Sequence, residues 1–235
     1  MFDVPAGAPA PDTSRAQGDD PRPCHHRHRA LDLPAPGTVD SRPGHGSTGA
    51  LTHNLPAGVR IRPLTMHRDF RGAFTEVFRD EWDAGMRPVQ WNAVRSDPRV
   101  LRGVHVHLRH WDYLSLASGK ASIGLRDLRS GSPTEGQALC IELSGDEMAA
   151  LTIPPGVAHG FLFHTAALHF YAVSEYFDPT DELGCHWADP ELGIPWPVTD
   201  VILSPRDADA PPLRVLLDRL APSQPIGAAS PPPGS

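Results

Sequence analysis

His105, His107, Asp112 and His159 carry side chains of types that can bind transition-metal ions. His105 and His107 are two positions apart, so a β-strand would present both imidazoles on one face. Two imidazoles, a carboxylate and a third imidazole inside one fold would form a site for Fe, Mn, Ni or Zn. Histidines with this spacing also line ordinary surfaces and pockets, so both interpretations stay open. The nearby His110 is interpreted as loop polarity.

The elements that position these residues are predicted to be short β-strands. Between residues 58 and 177, apolar or alternating runs of about five to nine residues recur roughly every ten residues. Gly, Pro, Asp or Ser closes each run, and tight turns are expected at 118–120 and 129–136. Such spacing is typical of a β-sandwich or barrel. Helices are predicted only at 211–220 and, as a short piece, at 79–86.

Composition predicts one folded domain over residues 55–221. Residues 1–54 and 222–235 are rich in Pro, Gly and Ser and poor in large apolar residues, which predicts a disordered N-terminal arm and a disordered tail. The three cysteines are far apart, so a disulfide framework is not expected. That cysteine usage fits a reducing cytoplasm.

Charge and hydropathy argue against nucleic acid and membranes as partners. The net charge is −7, and no long basic block occurs outside the HHRHR run at 25–29, so nucleic-acid binding is not expected. That run is interpreted as a solvated tail, with an adventitious metal or anion site as the alternative. No apolar run approaches the length of a membrane span, and no secretory leader is recognised.

Several segments with distinctive motifs follow one another over most of 55–221. They are DFRGAF (69–74), VLRGVH (100–105), DLRSGSPTEG (127–136), IPPGVAHGF (153–161) and DPTDELGCHWADPELGIPWP (178–197), followed by LSPRDADAPPL (203–213). In this order they resemble the dTDP-4-dehydrorhamnose 3,5-epimerase family of the cupin superfamily. The resemblance implies an all-β cupin jelly-roll barrel with a short C-terminal helix.

The resemblance also implies a reaction. Family members invert C3, C5 or both in a dTDP-4-dehydro-6-deoxyhexose by removing a proton next to the ketone, which requires a base, an acid and a group that holds the enolate oxygen. His105 falls on the position of the base, Asp207 on the carboxylate that orients it, and Tyr171 on the acid. Tyr171 could instead only pack in its strand, and Asp207 could be a turn or N-cap residue.

The resemblance further implies which residues contact the substrate and that the protein forms a homodimer. Arginine suits a diphosphate because its planar guanidinium can make two parallel charge-assisted bonds; the alternative for each arginine is a surface ion pair. No cofactor is expected, and the family implies a homodimer whose N-terminal strands cross to the neighbour. The implied contacts with the dTDP-sugar are Arg71, Gln90, Asn92, Arg102 and His159.

The chain departs from the family where a lysine would stabilise the enolate. Lys120 is the only lysine, and Asp112 stands at about the family's lysine position. A carboxylate repels a developing oxyanion, so another group must supply positive charge. The spacing of His105, His107, Asp112 and His159 resembles the cupin metal-binding motifs. Two alternatives therefore stay open: a metal-dependent cupin enzyme acting on a small polar substrate, and a sugar-nucleotide-binding protein without turnover.

Overall fold

A computed structural model describes residues 54–221 of the chain. Apart from Asn54, the predicted arm (1–54) and the predicted tail (222–235) lie outside the described residues. The described part is mostly β-structure. Its strands are β1 (Arg60–Pro63), β2 (Met66–Asp69), β3 (Gly72–Thr75), β4 (Gln90–Ser96), β5 (Leu101–Val106), β6 (Asp112–Ser118), β7 (Lys120–Asp127), β8 (Ala138–Ser144), β9 (Ala149–Ile153), β10 (Val157–Phe163), β11 (Ala167–Val173) and β12 (Leu183–Gly184).

Two five-stranded antiparallel sheets form the barrel. One has the order β1-β9-β6-β11-β4 and the other β12-β5-β10-β7-β8, while β2 and β3 form a separate hairpin. Apolar side chains of both sheets, such as Leu114, Leu151 and Leu125, pack in one buried cluster. The alternation of inward and outward residues explains this core, because each strand gives one face to the opposite sheet. The predicted all-β architecture is confirmed.

Two short helices follow the barrel. The helix predicted at 211–220 is confirmed as α2 (Leu213–Leu220), whose Leu213 and Leu216 are buried in one cluster with Val104 and Val106 of β5. A single turn, α1 (Pro205–Ala208), precedes it and begins after the N-cap Ser204. Since α2 covers one face of β5, the intervening His105 points to the other face, toward the barrel interior.

The helix predicted at 79–86 is wrong. This segment forms turns and bends, and Gly85 adopts a positive φ of 78°, which interrupts helical geometry. Arg79 is instead held by ion pairs to Glu76 and Glu81. The segment still contributes to the core, since Ala84 is buried in one cluster with Tyr113 and Ala150.

Gly103 allows β5 and β10 to approach closely beneath the site. It adopts a positive φ of 116°, and a Cβ here would lie only 2.8 Å from the Cα of Gly160 and 2.8 Å from the carbonyl oxygen of His159. Only glycine fits this position. The close approach places His105 directly opposite His159 in the β5/β10 register.

Candidate active site

The site contains a histidine–aspartate pair on β5 and α1. The Nε2 atom of His105 lies 2.7 Å from Oδ1 of Asp207, although the residues are 102 positions apart in the chain. The His105 side chain is 23% exposed and that of Asp207 is 8% exposed. Because an ionised carboxylate only accepts, Nε2–H donates to Asp207 and leaves the lone pair on Nδ1. This geometry supports the predicted pairing of base and orienting carboxylate.

The Asp207 carboxylate is held in its ionised form. Burial alone would raise its pKa, but hydrogen bonding to His105 and Ser204 outweighs burial and brings the pKa below its usual value. The N-cap interaction fixes the turn, because the Ser204 hydroxyl accepts a hydrogen bond from the Asp207 amide at 3.1 Å. Asp207 therefore belongs to a helical turn, as the alternative proposed, and also partners His105.

Tyr171 lies on β11, in the sheet opposite to that of His105. Its neighbour on the same strand face, His169, stacks on Phe163 of β10 with ring centroids 5.4 Å apart, so this face looks across the barrel. Burial, followed by the charge of Asp112, raises the pKa of Tyr171 above its ordinary value. The phenol is therefore neutral and can donate a proton from the sheet that faces His105.

Two predicted polar residues of β4 lie beside Tyr171. Asn92 is the register partner of Tyr171, and Gln90 donates a hydrogen bond to Asn92 at 3.0 Å. The Asn92 side-chain nitrogen is buried and has no hydrogen-bond partner among the described residues. The same holds for Nδ1 of His169, which sequence reasoning missed. Counting two positions back from Tyr171 along the strand would have identified it.

The two predicted arginines differ in position. Arg102 on β5 donates from Nε to the Ser96 hydroxyl at 3.0 Å, so its side chain lies along the barrel wall. Arg71 lies in the turn of the β2–β3 hairpin, is 76% exposed, and forms an ion pair with Asp69 at 2.6 Å. The single chain brings Arg102 to the site but leaves Arg71 outside it, in the surface ion pair that was the alternative.

A second group of histidines surrounds Asp112 at the start of β6. The Oδ2 atom of Asp112 lies 3.9 Å from Nε2 of His107, 3.8 Å from Nε2 of His110 and 3.7 Å from Nε2 of His159. Three of the four predicted metal ligands therefore meet. The fourth, His105, differs from the prediction because its Nε2 bonds Asp207 instead.

Burial determines the charge states of this group. It lowers the pKa of His107 to about 2 and that of His159 to about 4, so both imidazoles are neutral. Burial, reinforced by Glu182 and Asp181, raises the pKa of Asp112 well above its ordinary value.

Sequence reasoning missed three members of this region. His110 is not loop polarity: it is buried, its ring stacks on that of His107 at a centroid distance of 3.9 Å, and its Nδ1 lies 3.2 Å from Asp181. Asp181 and Glu182 follow β11 and contact His107 from more than seventy positions further along the chain. The acidic residues in 178–184 were the only signal in the sequence, but the fold is needed to show that they lie beside the histidines.

The two sheets of antiparallel strands, with polar residues grouped inside the barrel, define a cupin-type jelly roll. The chain belongs to the dTDP-4-dehydrorhamnose 3,5-epimerase family, whose profile matches residues 54–215. No helix within residues 54–221 has the length and apolar character needed to cross a membrane.

Named relatives agree with this family. A dTDP-4-dehydrorhamnose 3,5-epimerase of Neisseria gonorrhoeae is 37% identical over 157 residues, 63% of this chain; the match spans about half of that relative, 48% of its length. A dTDP-4-dehydrorhamnose 3-epimerase of Streptomyces niveus is 33% identical over 201 residues, covering 75% of this chain and 97% of the relative.

A solved structure shows the same fold. The 3,5-epimerase of Legionella pneumophila, crystallised in complex with dTDP-4-keto-L-rhamnose, superposes with a TM-score of 0.64 at 35% identity. The match covers 69% of this chain and 91% of the solved chain.

Proposed function

We propose that this protein is a nucleotide-sugar epimerase that inverts C3, C5 or both in a dTDP-4-dehydro-6-deoxyhexose. The observation that carries the proposal is the 2.7 Å bond between His105 and Asp207, on the sheet opposite to Tyr171. Family membership supports it, as does the dTDP-sugar bound to the Legionella relative.

The proposal gives each of the three residues a role. The free Nδ1 of His105 removes the proton next to the ketone, and Asp207 stabilises the imidazolium that results. The electron pair of the broken C–H bond moves into the enolate. Tyr171 then donates its phenolic proton to the same carbon from the opposite face, which inverts that centre. The base and the acid are both side chains of this chain, and the enolate oxygen requires a further group with positive charge.

Substrate contacts come from the barrel wall and, in this proposal, from a second copy of the chain. In this proposal Arg102, Gln90 and Asn92 contact the substrate, and the Asn92 side-chain nitrogen, which has no hydrogen-bond partner among the described residues, donates to the sugar. The β2–β3 hairpin exposes Arg71 together with Phe70, which is 98% exposed. A homodimer in which this hairpin crosses to the neighbour would bury Phe70 and bring Arg71 to the neighbour's diphosphate. The reaction is assigned to the cytoplasm.

The test is solvent deuterium uptake by a dTDP-4-dehydro-6-deoxyglucose sample, followed by NMR at C3 and C5. Uptake at one or both carbons is expected, and its pattern distinguishes single from double epimerisation. His105→Ala should abolish uptake, whereas the matched surface variant His164→Gln should retain it. Tight dTDP binding without any uptake would contradict the proposal and favour a non-catalytic sugar-nucleotide-binding protein.

A further inference from the structure

The carboxylate of Asp112 is nearly buried and has no hydrogen bond to any residue within 54–221. Its side chain is only 9% exposed, and the nearest imidazole nitrogens lie 3.7 to 3.9 Å away. These distances exceed the roughly 3.2 Å limit of an ordinary N–H···O bond. Buried polar groups are almost always hydrogen-bonded, so this arrangement requires another explanation.

The imidazoles of His107, just after β5, and of His159, on β10, are oriented with their lone pairs toward Asp112. Nδ1 of His107 lies 3.2 Å from the carbonyl oxygen of Asp181, and Nδ1 of His159 lies 3.0 Å from that of Val157. A carbonyl oxygen only accepts, so each Nδ1 carries the hydrogen and each Nε2 the lone pair. Metal-binding histidines are oriented in the same way, by an oxygen that accepts from the nitrogen not bound to the metal.

The distances from both imidazole nitrogens to the Asp112 oxygen fit a bound ion. A metal about 2.0 to 2.2 Å from each nitrogen or oxygen ligand allows two ligand atoms to lie up to about 4.2 Å apart. The Nε2 atoms of His107 and His159 lie 3.9 and 3.7 Å from Oδ2 of Asp112, and the three ligand atoms are all within 4.8 Å of one another. We propose that His107, His159 and Asp112 bind one first-row divalent metal ion, with a coordination position open to the pocket.

The ligand types determine which ions fit. Two imidazoles and one carboxylate favour Zn²⁺, Fe²⁺, Ni²⁺ or Mn²⁺, whereas Mg²⁺ and Ca²⁺ prefer oxygen ligands throughout. His110 stacks on His107 and its Nδ1 is held by Asp181, so it braces the His107 ring in this orientation. A site with three protein ligands leaves room for a further ligand, as in catalytic zinc sites.

The position of the ion gives it a role that rests on the proposed epimerase function. His159 is the register partner of His105, so ion and base share one wall of the pocket. The ion would supply the positive charge that an enolate requires. Lys120 cannot supply it, since it is exposed at the end of β7 distant from Leu125, the β7 partner of His159.

The test measures metal binding directly. Full-length protein is freed of metal with a chelator, then titrated with Zn²⁺ by calorimetry and with Co²⁺ by visible absorption. Because the chain also contains His25, His26 and His28, all titrations are repeated in a background with these three changed to alanine. Asp112→Asn and His159→Gln are compared with the surface variant His164→Gln, and circular dichroism checks that each variant retains the fold.

One Zn²⁺ per chain is expected in the triple-alanine background, with Mg²⁺ failing to compete. Asp112→Asn and His159→Gln should each weaken binding by more than about 100-fold, beyond the 10–100-fold loss typical of an outer hydrogen-bond partner. His164→Gln should bind as the parent does. Absence of stoichiometric binding in this background, or equal binding by folded Asp112→Asn, would overturn the site.

The result also separates this site from the proposed function. Deuterium uptake by protein that binds no ion would eliminate the metal site and leave the epimerase. Stoichiometric binding without uptake would support the metal site and eliminate the epimerase.

Discussion

Two histidine–aspartate arrangements lie side by side in this barrel, and they differ in the distance between the imidazole nitrogens and the carboxylate oxygen. His105 contacts Asp207 at 2.7 Å and is partly exposed, whereas His107 and His159 stand 3.9 and 3.7 Å from the buried Asp112. In the first, the carboxylate occupies one imidazole nitrogen and leaves the other free to move a proton. In the second, carbonyl oxygens occupy the outer nitrogens and the inner lone pairs converge. The partner of each ring nitrogen, rather than the residue types, decides the chemistry.

The largest effect is expected when the base of the first arrangement, His105, is removed. His105→Ala should reduce deuterium uptake to background, because a general base usually contributes about 10²- to 10⁴-fold to the rate. Zn²⁺ binding should remain unchanged, because His105 belongs only to the first arrangement. A parallel loss of Zn²⁺ binding in folded protein would show that the two arrangements are one site.

A somewhat smaller effect is expected when the orienting carboxylate is neutralised. Asp207→Asn should lower uptake by roughly 10²-fold, because an amide no longer stabilises the imidazolium or fixes Nε2 as the protonated nitrogen. The matched control is Asp200→Asn, which changes an exposed aspartate paired with Arg99. Equal activity of Asp207→Asn and Asp200→Asn would mean that the 2.7 Å contact has no catalytic role.

Tyr171→Phe should separate proton removal from inversion. Without the phenol, His105 can still exchange the proton on its own face, so deuterium uptake with retained configuration should continue. Conversion to the inverted sugar, measured by NMR, should fall by about 10²-fold. If inversion and exchange fell by the same factor, Tyr171 would not be the acid of the opposite face.

The smallest expected effect is on the free energy of unfolding, and it concerns the second arrangement, formed by His107, His159 and Asp112. In metal-free protein, Asp112→Asn should raise the free energy of unfolding by about 1 kcal/mol, because the new amide can donate to a lone pair of His107 or His159. Saturating Zn²⁺ should reverse the order by stabilising only the parent. Thermal unfolding with and without Zn²⁺ measures both differences. A metal-free variant less stable than the parent would show that Asp112 already has a favourable partner.

Much of the fold could be predicted because its signals are local. Alternating runs closed by turn residues predicted the strands, and the apolar face of 211–220 predicted α2. The same local reasoning failed at 79–86, where the residues pack against the barrel from turns and bends, and the positive φ of Gly85 interrupts helical geometry. Composition could not resolve the topology, since the sheet order depends on contacts between distant strands.

The site could be predicted only in part. His105 and Asp207 are 102 positions apart, so family resemblance, not spacing, suggested their pairing. Motif spacing grouped His105 with His107, Asp112 and His159, but the approach of α1 turns His105 to Asp207. His110 and Asp181 acquire their places only through burial, which a linear pattern does not show.

Proton removal by the His105–Asp207 pair is tested most directly by deuterium uptake into dTDP-4-dehydro-6-deoxyglucose. The parent protein is compared with His105→Ala at matched Zn²⁺ occupancy. We expect uptake at C3, C5 or both in the parent and none above background in the variant, with the same amount of Zn²⁺ bound to each. Full uptake by His105→Ala would contradict it, because the proton would then be removed by a group other than the His105–Asp207 pair.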